Sequence, residues 1–286
     1  MILVTGSTGQ LGTIVIEHLL KKIPASQIAG LARDATKAAP LLEQGMDIRF
    51  GNYDDIASLE NAMQGIQKVL LIAGTDEVKR VQQHQNVVNA AKKAGVEHLF
   101  YTSRTLRDRS TLVNQLMLGH LQTEDLIQTS GIKYTIFRNV LYMDVIPQFV
   151  GQNVFSTGIS LPTGDGKLAF ALRSEIGEGI ANTLLNSDYD QRFCTFTGSQ
   201  AYSFSDIAKV LTELSKKDVP YTPLEKSVFE AHLKARGLPE QMIERMVGFM
   251  TDIKNGQEDE ISPDLEQMLG RKPATLETGL KMLFKL

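Results

Sequence analysis

The chain has 286 residues, 42% of them hydrophobic and 22% charged, with a formal net charge of −3 and a single cysteine. This length and composition describe an ordinary globular protein with a sizeable core, in one large domain or two modest ones, and exclude a disordered or fibrous chain. The charge balance, without any Lys/Arg cluster, argues against a nucleic-acid partner, no apolar run approaches membrane-spanning length, and the lone Cys194 excludes an internal disulfide.

The first predicted strand, 2–5, follows Met1 directly and leaves no room for a signal peptide, so a cytoplasmic protein is expected. It runs into TGSTGQLG and a helix predicted over 10–22. Glycine costs up to about 1 kcal/mol against alanine inside a helix or strand. A stretch that accepts Gly6, Gly9 and Gly12 in succession brings its backbone close to something. Strand, glycine turn and helix together form the setting of a dinucleotide site. Gly6 makes the sharp turn, Gly9 admits a pyrophosphate and Gly12 lets the helix pack on the strand. The phosphates then face the turn and the helix start, which bring Ser7, Thr8, Gln10 and Leu11 to the cofactor. The spacing is GxxGxxG rather than GxGxxG, and a plain tight turn into a helix is the alternative.

The second strand, 28–32, leads to Arg33, about twenty residues beyond the glycines, where an acid would hold a ribose 2′-hydroxyl and an arginine suits a 2′-phosphate. Asp34 competes as the ribose acid, but its place just before a helix predicted over 35–44 suits an N-cap. NADP(H) is favoured over NAD(H), with a solvated surface arginine as the remaining alternative. After the third strand, 48–50, Asn52 and Tyr53 are placed to meet the edge and face of the adenine, unless they form a simple turn with a half-buried tyrosine. Further strands at 69–73, 99–102 and 135–138 alternate with helices at 56–64, 77–94 and 112–130. Gly45, Gly65, Gly95 and Gly131 each follow a helical run, where a left-handed C-cap is wanted. Connections of this length fit right-handed crossovers, so the expected fold is α/β, a Rossmann-like doubly wound parallel sheet with helices on both faces.

Beyond about residue 140 the pattern loosens. Short strands at 153–156, 168–172 and 192–197 mix with helices near 175–186 and 203–216, and a helix-rich tail starts near 225. The expected division is a nucleotide-binding domain over 1–140, to which some later segments return, and a smaller α+β lobe over 141–286. Ligands then bind at the carboxyl ends of the strands. RFCTF alternates like a strand, so Cys194 reads as a small buried residue rather than a nucleophile, and no metal site is expected. In the tail, Met242, Met246, Phe249 and Met250 share a helical face, either as core or as an adaptable lid over a flat aromatic substrate. Ser262, Pro263 and Asp264 read as a helix start.

TGSTGQLG, the Arg33 strand end, YTS at 101–103, HLQTE at 120–124, RNVLYMD at 138–144, PTGDGK at 162–167 and DLEQMLGRKPATLE in the tail together carry a resemblance. Over nearly its whole length the chain resembles the NmrA-like atypical short-chain dehydrogenases/reductases, and within them the bacterial quinone- and triphenylmethane-reducing members. The resemblance implies NADP held by the glycine turn, Arg33, the loop Ala73, Gly74 and Thr75, and residues around Asn139, with Lys167 as a further contact. Thr102 and Ser103 of YTS fall at the cofactor, Ser103 at the nicotinamide ribose or the substrate.

Ordinary relatives carry Tyr-x-x-x-Lys on the helix after the fifth strand, where the tyrosine hands a proton to a carbonyl oxygen and the lysine lowers its pKa. No tyrosine here has a lysine four residues later; the matching positions carry His120 and Glu124, one turn apart on one face. Hydride addition to an isolated ketone makes a strongly basic alkoxide that needs a positioned acid. Addition to a quinone makes a phenolate-like anion, with a pKa of about 10 if tyrosine is the guide. The missing pair therefore suits quinones and similar conjugated acceptors, with positioning as the main source of catalysis. His120 either donates a proton or merely closes the pocket, bonded to Glu124 or to backbone, and Glu124 orients it or faces solvent. Asn139 and Tyr142 are nicotinamide-pocket residues by the same resemblance, Tyr142 with sheet-end packing as its alternative. Arg104, Arg107 and Arg109 depart from the relatives; if one lines the pocket, an anionic acceptor follows. The expected function is an NADPH-dependent reductase of quinone-like small molecules, monomer or homodimer. The alternative is an NADP(H)-binding redox sensor with little turnover, and the missing pair disfavours a nucleotide-sugar epimerase or dehydratase.

Overall fold

The computed structural model describes the chain except Glu77, Gln152 and residues 187–191, and the side chains of Gln115 and Leu116. Its strands are β1 (Ile2–Val4), β2 (Ile28–Ala32), β3 (Asp47–Phe50), β4 (Lys68–Leu71), β5 (His98–Arg104), β6 (Lys133–Asn139), β7 (Ile159–Leu161), β8 (Lys167–Leu168), β9 (Arg192–Phe196), β10 (Tyr202–Ser203) and β11 (Tyr221–Pro223). One seven-stranded sheet runs in the order β3-β2-β1-β4-β5-β6-β9, and the pairings from β3 to β5 are parallel. Leu3 pairs with both Ala29 and Val69, so the carboxyl ends of β1, β2 and β4 emerge side by side. This is the expected Rossmann-like α/β fold.

Helices α1 (Gln10–Leu20), α2 (Ala35–Glu43), α3 (Ile56–Ala62), α4 (Arg80–Lys93) and α5 (Gln115–Thr129) fall between the first six strands. Glu77, where the fourth helix is expected to begin, lies outside the described residues. Successive strand residues point to opposite faces of the sheet. Leu3, Leu31, Val69, Leu71, Leu99 and Tyr101 form one core with Leu59 of α3 and Val87 and Val88 of α4. The alternate residues Ile2, Val4, Leu70 and Phe100 are buried as well. Gly45, Gly65, Gly95 and Gly131 all adopt left-handed backbone, with φ between 71° and 81°. Each ends a helix where the sequence places a C-cap.

Further along are α6 (Ile146–Val150), α7 (Val154–Thr157), α8 (Arg173–Leu185), α9 (Phe204–Ser215), α10 (Lys226–Ala235), α11 (Glu240–Lys254), α12 (Asp264–Leu269) and α13 (Leu276–Phe284). Two compact units interleave along the chain. The first comprises Met1–Ser103, Gly119–Arg138 and Ser174–Cys194; the second comprises Arg104–Leu118, Asn139–Arg173 and Thr195–Leu286. The second has its own core, including Leu141, Met143, Phe170, Phe204, Ile243, Val247, Met250 and Ile253.

Three expectations change here. The strand predicted over 153–156 is the helical turn α7, because the Asn153 carbonyl takes the N–H groups of Ser156 and Thr157 and Gly158 closes the turn with φ +69°. A four-residue apolar run does not distinguish a strand from a buried helical turn by period. The strand predicted over 168–172 shrinks to β8, while β7, β10 and β11 are too short to leave any alternation in the sequence. In α11 the buried face is Ile243, Val247, Met250 and Ile253; Met246 packs against it from the side and Met242 is exposed. Cys194 is buried in β9, and Asp264 begins α12.

Candidate functional site

β1 delivers Thr5 into a turn that reverses at Gly6, where φ is +60°. The Gly9 N–H donates to the Gly6 carbonyl at 2.9 Å, and Gly9 is the N-cap of α1. A Cβ on Gly12 would lie inside contact distance of the Gly6 carbonyl oxygen and 2.9 Å from its carbon; one on Gly9 would stand 3.2 Å from the same oxygen. The turn is folded so closely on the helix start that position 12 has no space for a side chain. Among the described residues no side chain caps α1 and its first turn holds no acid, so its N–H groups and positive end are left for another partner.

A cleft of about 520 Å³ opens above these strand ends. Its wall includes Gly6, Thr8, Gly9, Gln10, Leu11 and Gly12 from the turn, Arg33 and Lys37 beyond β2, Asn52 and Tyr53 beyond β3, and Ala73, Gly74 and Thr75 beyond β4. Asp34 is the N-cap of α2: its Oδ1 accepts from the N–H groups of Thr36 at 2.8 Å and Lys37 at 3.2 Å. Both exposed cations, Arg33 and Lys37, therefore stand on this wall. The Asn52 side chain accepts from the N–H groups of Asp54 and Asp55. The Tyr53 hydroxyl lies 2.5 Å from Thr5 Oγ1 and 2.9 Å from the Ile72 carbonyl.

The loop after β4 is held by three separate elements. The N–H of Ile72 donates to Thr5 Oγ1, that of Ala73 to Thr102 Oγ1 and that of Gly74 to His84 Nε2, at 2.9, 2.9 and 3.0 Å. The Gly74 carbonyl accepts from Arg80 Nε at 2.8 Å. His84 Nδ1 lies 2.9 Å from Thr123 Oγ1, whose own proton goes to the Gly119 carbonyl. Nδ1 is therefore the donor and Nε2 the acceptor, which is a neutral imidazole. Burial, with the nearby Arg80 charge, pushes its pKa from 6.5 down to about 3. The unfolded chain takes up this proton below pH 6.5 while the folded one refuses it, so the stability tied to a neutral His84 is complete above that pH and declines from 6.5 towards 3. Melting temperature followed over that range should fall less steeply for His84→Gln than for the wild type; equal slopes would show that this histidine is not the source.

Ser7, Thr102 and Ser103 are buried, and their hydroxyls are engaged by the protein itself rather than set on the cleft wall. Ser7 donates to the Leu31 carbonyl at 2.8 Å, and Ser103 to Glu124 Oε1 at 2.5 Å. Glu124 does not face solvent, contrary to the second of the two expectations for it. It is buried, and Arg138 of β6 holds it through Nε at 3.1 Å and Nη2 at 2.7 Å. A buried carboxylate needs a countercharge, and β6 supplies it. His120 is buried too, its Nδ1 lying 2.9 Å from the Tyr101 hydroxyl. Sequence reasoning missed Lys37, Arg80 and His84. Lys37 has a signal, one turn beyond the Asp34 cap; Arg80 and His84, four apart on one helix face, have no more than that spacing.

The remaining candidates belong to the second unit. Both amide atoms of Asn139, at the end of β6, are buried without a hydrogen-bond partner among the described residues. Tyr142 lies beneath the Arg173 guanidinium, 4.9 Å from its ring centre. Burial pushes the Tyr142 phenol up, with Arg104, Arg173 and the nearby Asn139 amide pulling the other way. Lys167 is exposed in β8. Beside it, a Cβ on Gly166 would come within 2.8 Å of Ile253 and Lys254 backbone atoms, so the glycine of GDGK marks the close passage of α11. Arg104 is paired with both oxygens of buried Glu258, which also accepts from the Leu141 N–H, and Arg107 pairs with Asp259. Those two arginines carry compensated charge.

The sequence pattern of the NmrA-like family matches residues 1–281. The chain belongs to the NmrA-like family. It is 36% identical over 290 residues to quinone oxidoreductase 2 of Escherichia coli (strain K12), a match covering 100% of this chain and 99% of that protein. The structure of Citrobacter sp. triphenylmethane reductase is similar with a TM-score of 0.91 and 34% identity, covering 100% of this chain and 99% of that one. So is the Escherichia coli NADPH-dependent quinone oxidoreductase complexed with NADPH, with a TM-score of 0.91, 35% identity, and coverage of 99% and 100%. In this NmrA-like chain α5 carries a His120 bonded to Tyr101 and a Glu124 neutralised by Arg138. Among the described residues no helix is long and apolar enough to cross a membrane.

Proposed function

We propose that this chain is an NADPH-dependent reductase of quinones or similar conjugated aromatic small molecules. The observation that carries the proposal is a single cleft whose wall runs from an uncapped, glycine-tight helix start to the cation pair Arg33 and Lys37. That arrangement fits a dinucleotide with a pyrophosphate and a 2′-phosphate, the cofactor held by the similar quinone oxidoreductase. When bound, the cofactor supplies hydride at its nicotinamide ring. The residues of the chain bind and orient. The turn offers backbone donors to the pyrophosphate, Arg33 with Lys37 holds the 2′-phosphate, Asn52 and Tyr53 border the adenosine, and Ala73, Gly74 and Thr75 form the facing wall. Ser7 and Thr102 brace these segments from behind, while Ser103 is tied to Glu124.

The roles of the other candidates follow from each one's own surroundings. Asn139, close to the Tyr142 phenol, holds an amide whose two atoms have no hydrogen-bond partner within bonding geometry among the described residues, the complement of a carboxamide. Tyr142 stays protonated at neutral pH, and its phenol is a donor for an acceptor oxygen. His120 is a further donor, oriented by Tyr101, and Lys167 a further cofactor contact. The anion left by a reduced quinone is no more basic than a phenolate, so this set functions without a Tyr/Lys pair.

The test is to mix the pure protein with NADPH and menadione and follow the nicotinamide absorbance. Turnover well above the uncatalysed rate is expected. Tight NADP binding with no oxidation by menadione, benzoquinone or a triphenylmethane dye would replace this proposal with the redox-sensing regulator.

A further inference from the structure

We infer that His84 is a positioning residue that fixes the orientation of the Ala73–Gly74 peptide on the cleft wall and so presets the cofactor site; this rests on the cofactor reading above. Gly74 borders the cleft, and α4 grips both its N–H and its carbonyl, which belong to the successive peptide planes on either side of its Cα. The N–H goes to His84 Nε2 at 3.0 Å and the carbonyl to Arg80 Nε at 2.8 Å. A glycine peptide in a loop otherwise rotates between orientations at little cost, turning a donor or an acceptor towards whatever lies beside it. The two bonds from one helix face remove that choice.

His84 is in turn set by α5. Thr123 has given its proton to the Gly119 carbonyl, so it can only accept from Nδ1, and that leaves Nε2 bare to receive Gly74. The Tyr101 ring stands edge-on to the imidazole with centroids 5.4 Å apart, and Tyr53 borders it at 6.2 Å. A protonated ring would present two donors and face the Gly74 N–H with a proton of its own. Burial and the Arg80 charge keep it neutral. The imidazole is buried, so it reaches a cofactor only through the peptide it holds.

Two substitutions separate its atoms. His84→Gln places an amide oxygen near the Nε2 position and keeps an acceptor for Gly74 while losing the donor to Thr123. His84→Asn does the reverse. Both lose ring packing, so both should lower the melting temperature. NADPH affinity, measured by titration without any acceptor, should stay within about twofold of wild type for His84→Gln and weaken about five- to tenfold for His84→Asn, the size of one hydrogen bond. In turnover the same split should appear in KM for NADPH, with kcat little changed. Equal effects of the two variants on affinity would overturn the inference, as would no effect from either. Nitrogen NMR of the wild-type protein without cofactor gives a readout independent of folding of the variants. It should show Nδ1 protonated and Nε2 bare at neutral pH; the opposite tautomer or an imidazolium would overturn the inference. A wild-type chain that shows this tautomer yet binds no NADPH would bring down the cofactor reading, and with it the consequence drawn for His84.

Discussion

Gly12→Ala is expected to abolish measurable NADPH binding and to lower the melting temperature, whereas Gly9→Ala should leave the melting temperature nearly unchanged and weaken binding only through crowding of the pyrophosphate. The added methyl at position 12 falls well inside contact distance of the Gly6 carbonyl oxygen and 2.9 Å from its carbon, and both are backbone atoms that no rotamer change can move aside. The helix start must shift away from β1, or the turn must open. Overpacking of this kind costs about 1–3 kcal/mol. The same movement carries the uncapped N–H groups of α1 away from the phosphate they would hold. At position 9 the nearest atom is the same oxygen at 3.2 Å, and a few tenths of an ångström relieve it. Titration with NADPH and a melting curve on each variant make the comparison. A Gly12→Ala protein that melts and binds like the wild type would show that the turn is not the phosphate cradle.

The second large effect is one of discrimination. Arg33→Ala should weaken NADPH binding by about ten- to a hundredfold and leave NADH binding nearly unchanged, since a hydrogen bond from a charged donor contributes about 1.5–3 kcal/mol. Lys37 shares the wall, so Arg33→Ala retains some preference for the phosphorylated cofactor and the double variant with Lys37→Ala loses more. Both groups are exposed, and raised salt should narrow the wild-type difference between the two cofactors. Equal losses for NADPH and NADH would mean that Arg33 does not read the 2′-phosphate. The Asp34 geometry weighs against the opposite preference: its Oδ1 already serves two N–H groups of α2.

The parts of this site that were legible in the sequence are those set by backbone needs. Glycines at 6, 9 and 12, the left-handed helix ends and the Asp34 cap are local, and local geometry leaves a residue type behind. Side-chain partnerships are not local. Glu124 sits one turn from His120, which invites pairing them, yet its partners are Ser103 on β5 and Arg138 on β6, brought there by sheet order alone. Arg104 likewise finds Glu258, 154 residues away. The loosest reading was in the second unit, where strands of two or three residues carry no period. The Met242 stripe held only in part, Met250 being core and Met246 packing against it. Methionine spacing matched a helix face, but the face turned inward is the neighbouring one of Ile243 and Val247.

The loop after β4 illustrates what such long-range partnerships achieve. With the consecutive amides of residues 72, 73 and 74 each saturated by a side chain from a different element, this stretch has little conformational freedom left to surrender when a guest arrives. Encounter with a nucleotide is then governed by diffusion and charge rather than by waiting for a flap to settle, and the scaffold bears the ordering penalty once, during folding.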